Sequence, residues 1–208
     1  MRKKENAEPK QKRSIATKNR IKETAKQLFV TKGYDNITSN HIAAEAKVPI
    51  GSFYNYFGNK KGLLLELLND FSDNYYRDTI GQFDEAIKEI TSKEIAIQVL
   101  KPLIKNSVSS LSLRDPFFKV ILALQFSDSD VLAFSKETRF VEINSLTQFL
   151  EIVHQFHPQK NIHSKARLLH ILLENVATHY NQTDTDFNPD QLIEETTVMF
   201  YKYLFLDD

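Results

Sequence analysis

The chain has 208 residues, 41% of them hydrophobic and 26% charged, with no cysteine and a formal net charge of zero. This is enough for one large or two small globular domains with a substantial core. A disulfide framework and a thiolate metal site are excluded, which fits a reducing compartment; the opening MRKKENAEPKQKRS has no apolar stretch of the kind a secretory signal needs, and the longest apolar runs, such as 120–124, are too short to span a bilayer.

The zero hides a division. Residues 1–61 hold 14 Lys+Arg against 5 Asp+Glu, a balance of +9, while residues 62–208 hold 13 against 22, a balance of −9. Opposite signs in the two parts predict that the first third meets a polyanion and the rest does not. Residues 1–14 are polar and read as a disordered basic arm, with Lys10, Lys12 and Arg13 free to follow a nucleic-acid backbone. From Thr17 to Lys32, the residues Ile21, Ala25, Leu28 and Phe29 make one helical stripe, and Gly33 supplies a left-handed end to it. Thr38 or Ser39 caps a second helix whose inner face is Ile42, Ala43 and Ala46. Val48 and Pro49 form a turn into a short third helix from Ile50 to Phe57, anchored by Phe53 and Phe57. Gly58 ends it and Asn59 caps a fourth helix with the broad stripe Leu63, Leu64, Leu67, Leu68 and Phe71. After Gly81 further helical segments are predicted near 83–90, 93–111, 115–126, 128–156, 163–182 and 189–206, with Pro102 and Pro116 kinking or starting helices.

Two short helices joined by a tight turn, the second carrying polar and aromatic side chains off its apolar stripe, form the pattern of a helix-turn-helix that offers its second helix to the major groove. Arg20, Ile21, Ala25, Leu28, Phe29, Gly33, Tyr34, Thr38, Ile42, Ala43, Ala46, Val48, Gly51–Tyr54, Tyr56, Phe57, Lys60 and Leu63 resemble, in order and spacing, the DNA-binding domain of the TetR (tetracycline repressor-like) family over about residues 15–65. Lys47 departs from the glycine usual in the turn and is expected to take a left-handed or strained backbone; Pro49 stands where a serine is common. The resemblance implies an all-α protein: a helix-turn-helix DNA-binding domain over 15–62 and a helical ligand-binding and dimerisation domain over 63–208.

The residues then take roles. Pro49, Ile50, Gly51 and Ser52 start the third helix. Gly51 permits close approach to a duplex, Ser52 bonds a base edge or phosphate, Ile50 touches a thymine methyl and Asn55 reads an adenine. Tyr54 and Tyr56 offer hydroxyls to phosphates, which fixes register without reading sequence. Lys60 and the free N–H groups of the fourth helix suit a phosphate. Thr38 and Ser39 combine capping with phosphate bonding, and the position of Asn40 implies reach to a base. In the body, the resemblance implies a mostly apolar pocket, for which Phe118, Leu122, Phe126 and Phe140 are the proposed walls. Leu168, Leu172 and Val176, with Thr196, Phe200 and Tyr203, lie on stripes that either close the monomer or pair with their copies across a two-fold axis.

The function expected is a cytoplasmic homodimeric regulator, a repressor that binds a palindromic operator in double-stranded DNA and is released by a small hydrophobic effector. No cofactor or membrane partner is expected. The alternatives are an activator or architectural factor without a ligand, and an enzyme with a helical active site. The chain has no G-x-S-x-G, P-loop, dinucleotide fingerprint or zinc signature. His154 and His157 share a helix face but lack an identifiable third metal ligand, so no metal site is expected.

Overall fold

The computed structural model describes residues 7–109, 115–180 and 188–206. Among these the protein is all-α, as expected, with no strand. The helices are α1 (Ala7–Lys32), α2 (Ser39–Glu45), α3 (Ile50–Phe57), α4 (Lys60–Tyr75), α5 (Gly81–Lys88), α6 (Lys93–Ser109), α7 (Phe117–Leu124), α8 (Ser129–Phe156), α9 (Ile162–Tyr180) and α10 (Pro189–Phe205), with a π-helical turn, Tyr76–Ile80, between α4 and α5. No helix among the described residues is long and apolar enough to cross a membrane. Packing divides the chain into two compact units: a head of residues up to 71 with 116–132, and a body of 72–115 with 133–208.

Helix α1 begins at Ala7, ten residues before the start read from periodicity, so the part of the expected arm after residue 6 is helical. Lysine, glutamine and arginine are good helix formers, and Pro9 falls in the first turn, where its missing N–H has no intrahelical partner to lose. Residues 1–6 lie outside the described residues. Glycine at position 33, at φ +80°, ends α1 with its N–H on the Phe29 carbonyl at 3.0 Å.

The head extends past the boundary expected at residue 62. Ile21, Ala25 and Phe29 of α1 are buried together with Ile42, Ala43, Phe53, Phe57, Leu63, Leu64, Leu67, Leu68 and Phe71. Helix α7 joins the head because Phe117, Ile121 and Leu124 are buried and α7 packs on α1. Phe71 and Phe118 stack with ring centroids 5.9 Å apart and planes 6° apart.

The body core gathers Phe83, Ile87, Leu100, Leu103, Ile104, Phe149, Leu150, Leu169, Ile193 and Phe200, with α6 packed on α9 and α10. Gly81 does not interrupt the chain's helical run: it is right-handed (φ −60°, ψ −40°) and gives its N–H to the Tyr76 carbonyl. Pro102 lies inside α6, and Pro116 precedes α7 as its cap residue. His154 accepts the Gln159 N–H on Nδ1 at 2.9 Å, and the His157 ring lies 6.0 Å from the Phe205 ring. Both are parts of the body's packing, and no group of three metal-ligating side chains occurs among the described residues.

One polar cluster is embedded in the body. The Tyr75 hydroxyl donates to Glu142 Oε1. His170 lies between two carboxylates, with Nδ1 3.5 Å from Glu142 Oε2 and Nε2 3.8 Å from Glu174 Oε2. Burial pushes the Glu142 carboxyl up to about 7 and holds His170 below its ordinary value. The signs are opposite. A raised carboxyl contributes stability that is present at pH below about 4.5 and lost as pH rises through about 7. A depressed histidine contributes stability that is lost as pH falls through its folded value. Glu142→Gln keeps an acceptor for Tyr75 and removes the first effect. The variant is expected to be more stable than the parent at pH 8, by on the order of 1–3 kcal/mol, and the gap should close by pH 5. Denaturant melts at the two pH values check this.

Candidate nucleic-acid interface

Thr38 is extended (φ −108°, ψ 162°) and its hydroxyl accepts the His41 N–H at 3.2 Å, so Thr38 is the cap of α2 and Ser39 its first residue. Ile42 and Ala43 bury the inner face of α2. Lys47 then turns the chain in the left-handed region at φ +54°, as its departure from glycine predicts, and its side chain is exposed. A lysine there carries strain of about 1–2 kcal/mol that glycine would avoid.

Pro49 caps α3 with fixed φ −58° but offers no side-chain hydrogen bond to the helix start. Ser52 donates its N–H to the Pro49 carbonyl at 2.9 Å, so the first-turn N–H groups of Ile50 and Gly51 are left for an outside acceptor. Phe53 is fully buried and Phe57 nearly so, and their rings sit 5.6 Å apart. This inner edge fixes what points out. Pro49, Gly51 and Asn55 are exposed, Ile50 is 37% exposed and Tyr54 47% exposed, and Ser52 is half-buried. The Tyr54 ring packs edge-on against Phe53 at 5.7 Å, which holds it while its far side stays open. Tyr56 is half-buried and its hydroxyl meets Ser14 Oγ at 3.0 Å, a tie between α3 and α1. Asn40 is exposed on the first turn of α2.

Lys60 sits differently from its expected phosphate role. Its ammonium donates to the Tyr34 carbonyl at 2.9 Å and lies 4.0 Å from the centroid of the Tyr34 ring. Burial lowers its pKa, with Asp35 acting the other way. Lys60 therefore first ties the start of α4 to the end of α1; a phosphate would reach only its remaining donors. Asn59 caps α4 as expected, taking the Gly62 N–H at 2.8 Å. Gly62 carries no local sequence signal, yet a Cβ there would come within 2.1 Å of the Phe57 carbonyl oxygen, so only glycine lets α3 and α4 meet this closely.

The head's positive charge is unevenly used. Lys18 and Lys22 pair with Glu66 at 2.5 and 3.1 Å, Lys22 reaches Asp70 at 2.6 Å, and Lys61 bonds Asp128 and Asp130. Arg13, Arg20, Lys32 and Lys47 are exposed. A charge count alone does not separate these groups, and Lys47, next to the start of α3, is a further exposed cation there.

The expected pocket walls do not come together within one unit. Phe118, Leu122 and Phe126 belong to the head, where Phe126 is 88% exposed at the end of α7. Only Phe140, 71% exposed on α8, lines a cleft of the body. Among the expected interface residues, Thr196 and Phe200 are buried inside the body, because their side of α10 packs on α6. Leu172 and Val176 are half-buried, while Leu168 and Tyr203 are 42% and 43% exposed.

Residues 21–67 match the model of the bacterial regulatory proteins of the tetR family. Over 56 residues the chain is 45% identical to the HTH-type transcriptional regulator YuxN of Bacillus subtilis, covering 27% of this chain and 19% of that protein. Over 64 residues it is 33% identical to the HTH-type transcriptional repressor DhaR of a Mycobacterium species, covering 31% and 32%. The matched part is thus less than a third of the length of either relative. Across 95% of this chain and all of the other, the fold resembles NalD, the secondary repressor of the MexAB-OprM multidrug efflux pump in Pseudomonas aeruginosa, with a TM-score of 0.70 at 20% identity.

The double engagement of Lys60 sets an expectation. Lys60→Ala should lower the stability of the head by roughly 1–2 kcal/mol, from the lost ring contact and the unpaired carbonyl. A thermal melt of the variant without DNA checks this, and an unchanged melt would return Lys60 to a purely surface role.

Proposed function

We propose, from the match of residues 21–67 to the bacterial regulatory proteins of the tetR family, that the chain is a transcriptional regulator of that family that reads a two-fold symmetric operator as a homodimer. The observation that carries this reading is the outer side of α3. Polar, small and aromatic groups face out from a helix whose opposite side is sealed by Phe53 and Phe57. Asn55 and Ser52 have the donors and acceptors to read base edges, Ile50 suits a thymine methyl, and Tyr54 and the open N–H groups of Ile50 and Gly51 suit phosphates. Thr38, Ser39 and Asn40 flank that surface on α2, and the exposed Lys47 and Arg13 add charge for the backbone. Tyr56 and Lys60 contribute mainly by position, since each is tied to α1 or its end.

A second copy would cover the exposed apolar side of the last two helices. Leu168 and Ile171 on α9 and Val198, Met199 and Tyr203 on α10 are each 42–53% exposed. Five large apolar side chains left in water on neighbouring helices are the mark of an interface, and antiparallel pairing with their copies gives a four-helix bundle. This replaces Thr196 and Phe200, which are core residues of the protomer, as the contact set.

The reading as a repressor is supported by the names of DhaR and NalD, both called repressors. Release by a small-molecule effector follows if the ligand binds better to a dimer whose two α3 helices are not spaced for successive major grooves, about 34–36 Å apart. The chain would act in the cytoplasm, where the DNA is.

Two substitutions test the surface of α3 and a third tests the interface between copies. Tyr54→Ala should weaken binding roughly tenfold on every DNA sequence, since it holds a phosphate. Asn55→Ala should lose discrimination at one base pair per half-site, worth about 1–3 kcal/mol. Fluorescence anisotropy on the operator and on single-base variants separates the two patterns, and intact selectivity in Asn55→Ala removes it from base reading. Met199→Asp should give monomers with poor operator affinity by sedimentation; a variant that stays dimeric places the interface elsewhere.

A further inference from the structure

The body carries a concave feature that DNA reading leaves unused. Lys136, Arg139, Phe140 and Ile143 on α8, with His163 and Arg167 on α9, line a cleft of about 430 Å³. That volume falls in the range of small-molecule sites, about 300–1,000 Å³. Residues 62–208 carry a balance of −9, yet three permanent cations converge here. Arg139 is ion-paired with Glu174 at 3.8 Å, a separation too long for a hydrogen bond. Neither Lys136 nor Arg167 has a carboxylate partner among the described residues. His163 stands in the first turn of α9, near the positive end of that helix. Beside these charges Phe140 is 71% exposed and Ile143 is half-buried. Like charges held together repel, and an exposed phenyl ring is costly, so both features are relieved by one kind of occupant.

We propose that this cleft binds an anionic amphiphile, with a carboxylate or phosphate head between Arg139, Arg167 and Lys136 and an apolar tail over Phe140 and Ile143. Guanidinium groups suit such a head because they present paired donors to two oxygens. As a binding site the cleft stands without the regulator reading. As the place where an effector acts it rests on that reading.

The test uses the full chain and four probes of equal tail length: decanoate, decyl phosphate, decanol and decyltrimethylammonium. Calorimetric titration is expected to show binding of decanoate, decyl phosphate or both, and at least tenfold weaker binding of the alcohol and the ammonium. The double variant Arg139→Gln, Arg167→Gln should lose the anion binding by about tenfold or more with an unchanged melting temperature. Phe140→Ser should weaken it with the same preference for anions. Which anion binds better tells a carboxylate source from a phosphate one. Equal binding of all four probes, or unaltered anion binding in the double variant, overturns the proposal. So does a double variant that changes only the oligomeric state, because the cleft would then be a contact between copies. Addition of the bound anion to an operator complex gives the separate readout: binding to the cleft with no change in DNA affinity overturns effector release and leaves the cleft standing.

Discussion

The orientation of α3 depends on two rings beneath it. Helix α3 has only eight residues and no side-chain cap, so its own hydrogen bonds would not hold it in water. Phe53 and Phe57 hold it instead, each burial contributing about 1.5–3 kcal/mol. Gly62 lets the start of α4 approach the Phe57 carbonyl, and Lys60 ties α4 back to Tyr34. With its inner side fixed in this way, α3 has one orientation, and Ser52, Tyr54 and Asn55 are offered outward by default. The surface proposed for DNA is a consequence of the packing below it.

Electrostatics then distinguishes the two units. In the head, Lys18, Lys22 and Lys61 are held by carboxylates of α4 and of the segment before α8, where they brace the fold. Among the described side chains, Arg13, Arg20, Lys32 and Lys47 stay exposed and are available for long-range attraction to a polyanion. The body is acidic overall but contains two local exceptions to that sign: the buried Tyr75–Glu142–His170 cluster, whose charge is suppressed by burial, and the basic cleft beside Phe140.

Features set by local chemistry were legible in the sequence. Gly33, Thr38 and Asn59 act at helix ends as their residue types predict, and Lys47 takes a left-handed backbone where a glycine is usual. The Phe53/Phe57 edge followed from a spacing of four. What depended on distant partners was not legible. Lys60 reads as a surface cation because its acceptor, Tyr34, lies 26 residues away. Helices α9 and α10 are apolar on more than one side, so periodicity named Thr196 and Phe200 as readily as Met199, and only their packing on α6 separates core from surface. The division of the expected pocket walls between the two units was not legible either. Phe126 and Phe140 look alike in sequence, but one ends a helix of the head and the other edges a cleft of the body.

The most direct measurement is selection of fragments bound by the full chain from a pool of random duplex DNA, followed by sequencing. A helix that lays its outer side in the major groove, carried by a symmetric dimer, enriches two inverted half-sites whose centres are about 10–10.5 base pairs apart. A pool that emerges with no shared sequence would contradict the claim that α3 reads DNA, and a single unrepeated motif would contradict the symmetric dimer.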